Sequence, residues 1–410
     1  MAKPEPDNKA DLAAAADRGE TVSGMEPMLL REDSRHRAVL TDLALELAQK
    51  SAGLRRSLPE SLVSSLADLV RSVNCYYSNL IEGHDTHPVD IERALRGEYS
   101  KDAKKRDLQL EAKAHVEVQH WIDGGGLKGR SMTVDAIRET HHRFCSLLPE
   151  ELLSVEDPAG SERVKVIPGE LRSRDVKVGQ HVAISPPAVS RFLGRFEQVY
   201  GQLGKTETIL ATAAAHHRLV WIHPFVDGNG RVARLMSHAT LLEALDTGAV
   251  WSVARGLARD VQTYKSHLAA CDQRRRNDLD GRGPLSEEYL ADFTRFFLTT
   301  CLDQVAFMEK LVQPEELRAR ILSWAEVEIR LDRLPPKSGA ILEALLYRGE
   351  LPRGDAAAVI GTGDRQARRV VSALLDRGVL TSASTRAPLR LAFPATLAAR
   401  WMPGLFPEQR

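Results

Sequence analysis

The chain has 410 residues with 56 basic and 56 acidic side chains, so net charge supplies no long-range attraction to nucleic acid or to an anionic membrane. Its four cysteines, Cys75, Cys145, Cys271 and Cys301, are far apart and fall in helical patterns, which excludes a disulfide framework or paired zinc ligands and makes the cytoplasm the expected compartment. Because no apolar run reaches the roughly 18 residues that a membrane span needs, no membrane partner is expected, and the length suits two domains with a short extension.

Residues 1–30 read as a disordered N-terminal extension, since 1–17 is charged and alanine-rich without a signal-peptide core. A helical pattern over 62–77 then runs into Ser78-Asn79-Leu80-Ile81-Glu82-Gly83, where Ser78 and Glu82 share a face and Gly83 suits a C-cap. The stretch 96–107 is charge-rich and reads as a solvated connector, while His141 and His142 fall on another core helix. Within 169–187, Val176 and Val178 alternate about Lys177, as in a half-exposed strand of a hairpin.

Residues 206–222 form a buried helix, with Leu210, Ala213, Ala214 and Val220 at helical spacing. His216 and His217 on it are structural imidazoles, because no HExxH-like carboxylate accompanies them. Pro224 stops the helix, and a second begins near Gly230, carrying Val232, Leu235, Met236, Leu242 and Leu245. The junction is His223-Pro224-Phe225-Val226-Asp227-Gly228-Asn229-Gly230-Arg231-Val232-Ala233-Arg234.

Each residue type in that junction suits a phosphate site. Gly228 and Gly230 permit positive φ and close backbone approach, so successive N–H groups can converge on an anion at the positive end of a helix, with Asn229 adding an amide donor. Asp227 is a lone carboxylate, and one carboxylate plus substrate phosphates is a common way to hold Mg2+. Arg231 and Arg234 stand in a first turn, where the macrodipole disfavours cations unless an anion is present. A polyphosphate is the expected anion. His223 is a suitable base, since an unperturbed imidazole is mostly neutral at neutral pH.

Past this region, 303–334 is helical until Pro335-Pro336 marks a boundary. Helices are then predicted over 338–348, 353–360 and 364–377, with Gly361-Thr362-Gly363 as a turn and Asp364 as N-cap, followed by strands at 380–384 and 389–393. This order resembles a winged helix-turn-helix domain. Arg365, Arg368 and Arg369 lie on the exposed side of its third helix, where DNA contact would occur. Acidic Asp364, Asp376, Glu350 and Asp355 dilute that charge, which favours protein docking or dimer support over DNA.

The junction matches at every fixed position the signature of the Fic (Fic/Doc) family, H-P-F-x-[D/E]-G-N-G-R-x-x-R. The resemblance implies a protein adenylyltransferase that moves AMP from ATP to a Ser, Thr or Tyr hydroxyl of a target protein. By position, His223 would be the general base and Asp227 the Mg2+ ligand. Gly228, Asn229 and Gly230 would cradle the α- and β-phosphates, Arg231 would bind the phosphate chain, and Arg234 would reach the γ-phosphate. Ser78, Glu82 and Gly83 resemble the family's inhibitory motif, in which Glu82 pairs with Arg234 and competes with the γ-phosphate. The same glutamate in some relatives positions water to remove AMP, and the residues do not separate the two roles. Val176, Lys177 and Val178 resemble the flap that docks a target as an added strand, and Tyr264 falls where an aromatic often lies near adenine.

The expected fold is therefore mostly α. A Fic-type core over 31–305 contains the inhibitory helix at about 62–83 and the flap at about 169–187. A connecting helix over 306–334 follows, then the winged helix over 335–410. A homodimer is an assembly the resemblance brings with it, and another nucleotide donor, AMP removal or a DNA-binding regulator remain alternatives.

Overall fold

A computed structural model describes residues 16–156, 163–179 and 181–407. The N-terminal part is a run of helices: α1 (Arg37–Arg56), α2 (Glu60–Ile81), α3 (Pro88–Leu95), α4 (Ala103–Asp123) and α5 (Val134–Ser146). In α1, Leu40, Ala44, Leu47 and Leu54 form the buried stripe that helical periodicity dictates. The helix of 62–77 is longer than its pattern, because α2 continues to Ile81 and its last carbonyls are closed by Gly83, at φ 88, and by the His84 amide donating to the Asn79 carbonyl at 2.9 Å. The connector over 96–107 is shorter than expected: Asp102 accepts a hydrogen bond from the Lys105 amide at 2.8 Å and caps α4, so 103–107 is already helical.

Two short hairpins follow, β1 (Ser154–Glu156) with β2 (Arg163–Lys165), and β3 (Lys177–Val178) with β4 (His181–Val182). The helical core resumes with α6 (Val189–Tyr200), α7 (Lys205–Ile222), α8 (Asn229–Leu245), α9 (Val253–Arg259), α10 (Val261–Cys271) and α11 (Glu287–Leu311). Helix α7 is buried continuously from Ile209 to Leu219, and its alanines at 213–215 leave room for α8, α6, α1 and α11 to pack around it. All four cysteines are buried free thiols.

Residues 16–30 depart from the expected disorder. Met25 and Met28 are fully buried, the Tyr200 hydroxyl donates to the Met28 carbonyl at 2.6 Å, and Arg218 donates to the Pro27 carbonyl at 2.8 Å. The apolar side chains of this strap bury enough surface to offset the entropy of ordering it. Residues 1–15 of that expected extension lie outside the described residues.

The expected connecting helix over 306–334 is divided, since α11 ends at Leu311 and α12 (Pro314–Arg330) begins at a proline that cannot donate into a preceding turn. Beyond it lie α13 (Ser338–Arg348), β5 (Glu350–Leu351), α14 (Ala356–Ile360), α15 (Asp364–Asp376), β6 (Leu380–Thr381), β7 (Leu389–Leu391) and α16 (Ala398–Trp401), with strand order β5-β7-β6. The cap of α15 is Gly363, not Asp364, which is its first helical residue. Helix α14 is also shorter than 353–360, because 353–355 is a 3-10 turn. Strands β6 and β7 stop short of 384 and 393: the Ser382 hydroxyl donates to the Ser384 and Ala387 carbonyls and competes with the ladder.

The C-terminal segment returns to the core on α2. The Tyr77 hydroxyl donates to the Leu405 carbonyl at 2.9 Å, Tyr76 meets Phe406 edge to face, and Arg255 donates to the Gly404 and Leu405 carbonyls at 2.7 and 3.2 Å. Among the described residues, no helix is long and apolar enough to cross a membrane.

Candidate active site

Helix α7 ends where Pro224 removes the next donor, and His223 turns the chain in the left-handed region at φ 51. For a residue with a Cβ, that conformation costs about 1–2 kcal/mol. The turn is fixed from three sides. The His223 amide donates to the Leu219 carbonyl at 3.1 Å, Arg172 Nε donates to the His223 carbonyl at 2.7 Å, and the Arg172 amide donates to the Pro224 carbonyl at 2.9 Å. His223 Nδ1 lies 3.3 Å from the Val220 carbonyl, which can only accept, so Nδ1 carries the proton and Nε2 offers a lone pair. Burial pushes the imidazole down to about 4, with Arg172 and His181 adding to the shift. The base is thus neutral at neutral pH.

Helix α8 starts from Gly228 at φ 80, whereas Gly230 is not in the left-handed region and is needed for space instead. A Cβ at 230 would overlap the Glu82 carboxylate. The Asn229 side chain closes the loop: its Oδ1 accepts from the Phe225 amide and its Nδ2 donates one hydrogen to the Phe225 carbonyl, both at 2.9 Å, beside the backbone N–H groups of the first turn. Phe225 is fully buried and stacks on His141 at 3.8 Å, and His141 Nδ1 accepts from the Gly169 amide at 2.9 Å. Loop and flap root are thereby joined.

The two arginines of the first turn are both buried and both already paired. Arg231 donates to Glu111 at 3.2 Å and to Asp227 at 3.1 Å, with its guanidinium 5.0 Å from the Phe144 ring centre. Glu111 also meets His84 Nδ1 at 2.7 Å. Burial alone would raise the Glu111 carboxyl, but His84 and Arg231 hold it below its ordinary value. Arg234 Nε donates to the Ser78 hydroxyl at 2.8 Å, and its Nη2 donates to the Ser78 carbonyl at 3.1 Å and to the Glu82 carboxylate. At Glu82, burial raises the carboxyl, and Arg234, helped by Arg231 and Lys265, outweighs that and lowers it. A carboxylate thus occupies the anion position over Gly230.

Asp227 has about half its side chain exposed (50%), so it can offer oxygen to a hard cation beside substrate phosphates. Among the described residues, no group of three or more His, Cys, Asp or Glu is placed to hold a metal ion. Tyr264 does not present its ring as expected. It is 2% exposed, and its hydroxyl bonds to His216 Nε2 at 2.6 Å, making it a core residue behind Arg234. His216 and His217 are buried and hydrogen-bonded to Ser237 and Asp272 respectively, as structural imidazoles should be.

The flap is shorter than its pattern: Lys177 and Val178 form β3, and Val176 contributes only its carbonyl, which accepts from Ala183 at 3.2 Å. Val178 and Val182 are exposed on it. Arg365, Arg368 and Arg369 are exposed on α15, in a part of the chain apart from this loop. Sequence reasoning missed Glu111, His84 and Arg172. It also missed the strap, where Arg18 donates to the Ala183 carbonyl at 2.6 Å and pairs with Asp175, while Glu20 accepts from Ser185. The apolar residues Met25, Met28, Leu29 and Leu30 were the available signal for the strap.

Residues 131–241 match the family model described as the Fic/DOC family. The proteins similar to this chain include the protein adenylyltransferase Fic of Drosophila ananassae, 26% identical over 241 residues that cover 58% of this chain and 43% of that protein. The protein adenylyltransferase Fic of Culex quinquefasciatus is 28% identical over 246 residues, covering 58% and 43%. The chain thus spans less than half the length of these relatives. Among solved structures, a Fic family protein from Desulfovibrio desulfuricans G20 superposes with a TM-score of 0.50 at 15% identity, covering 89% of this chain and 98% of that one. The chain carries a Fic domain of the Fic/DOC family, and His223 and the α8 arginines lie inside the matched segment.

Proposed function

We propose that the protein is a Mg2+-dependent adenylyltransferase that moves AMP from ATP to a Ser, Thr or Tyr hydroxyl of a target protein, and that Glu82 restrains it. The names of the relatives support adenylyl transfer in general. The observation that carries the restraint is the Glu82 carboxylate lying over Gly230 and paired with Arg234, where a terminal phosphate would otherwise find its cation. Two anions in one pocket repel, so ATP with its γ-phosphate at Arg234 requires Glu82 to leave.

In the released state, His223 Nε2 takes the proton as the target oxygen bonds to the α-phosphorus, and the bond to the bridging oxygen breaks to release pyrophosphate. The first-turn amides of α8, Arg231 and Arg234 orient the phosphates and neutralise their charge, and most of the catalysis comes from that positioning. Asp227 would share Mg2+ with the phosphates, and the ion adds charge neutralisation on their oxygens. The exposed flap valines flank a strand edge to which an extended target segment could add.

The order and pairing of α13 through β7 support a winged helix over about 335–407, the last described residue, placed against a core over about 31–305. Its exposed arginines suit a protein partner or a second copy of this chain more than DNA, because the surrounding acidic residues dilute their field.

The test is self-labelling with α-labelled ATP and Mg2+ by the wild type, Glu82→Gly, and Glu82→Gly with His223→Ala. Strong label on Glu82→Gly that disappears in the double variant supports the reading. Binding of ATP without label in any form removes it, and label from UTP or GTP under the same conditions reassigns the donor.

A further inference from the structure

Arg172 is 3% exposed, and each of its described hydrogen bonds goes to a main-chain carbonyl. Nε donates to His223 at 2.7 Å, Nη1 to Arg174 at 2.9 Å, and Nη2 to Ile184 at 2.5 Å and Ile222 at 3.4 Å. Ile222 and His223 close the C-terminal end of α7, where carbonyls point outward unpaired and the macrodipole is negative. Arg174 and Ile184 stand on the two arms of the flap. One planar cation therefore ties both arms to the backbone of the candidate base. Burial lowers the guanidinium to about 10 and Arg18 adds to that, while Asp175 and Glu20 oppose it, and the four carbonyls satisfy its donors.

We infer that Arg172 is a positioning residue for His223, holding the base in its left-handed turn and setting the height of the flap above it through a single guanidinium. The inference rests on the reading of His223 as general base. The fork geometry explains why an arginine is needed: five donors in one plane reach two chain segments at once, which the point charge of a lysine cannot do. It also explains the strain at His223, because the left-handed turn aims that carbonyl at Nε of Arg172 while Nδ1 turns back to Val220. The charged and titratable groups facing the imidazole are Arg172 from the flap root, His181 from β4 and Asp227 from the loop. Removing Arg172 takes away a cation and opens the site to water. Both changes raise the His223 midpoint.

The test uses Arg172→Met and Arg172→Lys in the full chain carrying Glu82→Gly. Arg172→Met is expected to lower kcat for self-labelling by about 100-fold or more, the scale of a misplacement of about 1 Å, while ATP affinity stays within about threefold. The His223 midpoint, read by NMR of labelled imidazole, is expected to climb from about 4 toward its ordinary 6.5, and amide exchange at 181–184 to accelerate. Arg172→Lys keeps the charge but not the fork, so a rate still down by about tenfold or more in the folded variant assigns the effect to geometry; if Arg172→Met does not fold, this variant carries the test. An unmoved midpoint and unchanged exchange in the folded variant overturn the inference. Absence of label in Glu82→Gly itself counts against the proposed reaction only, since the midpoint and the exchange are read without turnover.

Discussion

The chain uses nearly the same string twice. Gly228-Asn229-Gly230 leads α8 into Arg231-Val232-Ala233-Arg234, and Gly361-Thr362-Gly363 with Asp364 leads α15 into Arg365-Gln366-Ala367-Arg368. Both put two arginines one turn apart at a helix start, where the macrodipole opposes them. In α8 they are 6% and 3% exposed and meet Glu111, Asp227, Ser78 and Glu82, whereas in α15 both arginines are exposed. The difference lies in what packs across each helix. Helices α2 and α4 cover the start of α8 and convert a repelled pair of cations into a built anion site, while α15 turns Ala367, Val370, Val371 and Leu374 inward and leaves its arginines to water.

The largest expected effect breaks the α8 side of the comparison. In the Glu82→Gly form, His223→Ala should lower the labelling rate by about 100-fold to 10,000-fold, the range of a lost general base, with ATP binding retained in a direct binding assay. Retained labelling would mean that the loop binds phosphate while the base lies elsewhere. Next, Arg234→Ala should destabilise the fold by about 2 kcal/mol in chemical denaturation. It strands the buried Ser78 hydroxyl and the Glu82 carboxylate, and the figure is held down because Glu82 is about a third exposed (35%) and partly screened by water. An Arg234→Ala variant as stable as the parent would place the two helix starts on the same footing.

What could be read from the chain divides along the same line. The α7 and α8 periodicities, the junction string and the Ser78 to Gly83 motif are local patterns, and each places its residues where the structure does. Glu111 was illegible because it meets Arg231 across 120 positions of sequence and looks, on α4, like any solvated glutamate. Arg172 was illegible for a different reason: its partners are backbone carbonyls, which every residue carries. Tyr264 turns inward, because a buried phenol must first satisfy its own hydrogen bond.

An effect absent at neutral pH and growing only as pH falls tests the imidazoles packed behind α8. Burial pushes His115 and His216 down to about 3, and His141 and His217 down to about 4. The unfolded chain binds protons at these sites near 6.5, so it gains protons that the folded state refuses as pH falls. The folded state is favoured in full above about 6.5, and each site lowers stability by up to about 1.4 kcal/mol per pH unit below that, until its own folded value is reached. Denaturation midpoints measured from pH 7 to pH 4 should fall steadily. A flat profile would show that these imidazoles stay open to protons.

The smallest effect is expected at α15, and it decides whether the second string is a site at all. Arg368→Ala should shift stability by less than about 0.5 kcal/mol, the usual range for a surface change, and leave labelling of the Glu82→Gly form within about twofold. The comparison sharpens if a DNA duplex at low salt gives no affinity above the level that scattered surface charge supplies. It breaks if duplex binding appears, weakens with added salt and is lost in Arg368→Ala, because the arginines of α15 would then be waiting for an external polyanion where those of α8 are held by internal carboxylates. The two helix starts would then be one solution to the same electrostatic problem, met once by the chain's own acids and once by a partner's phosphates.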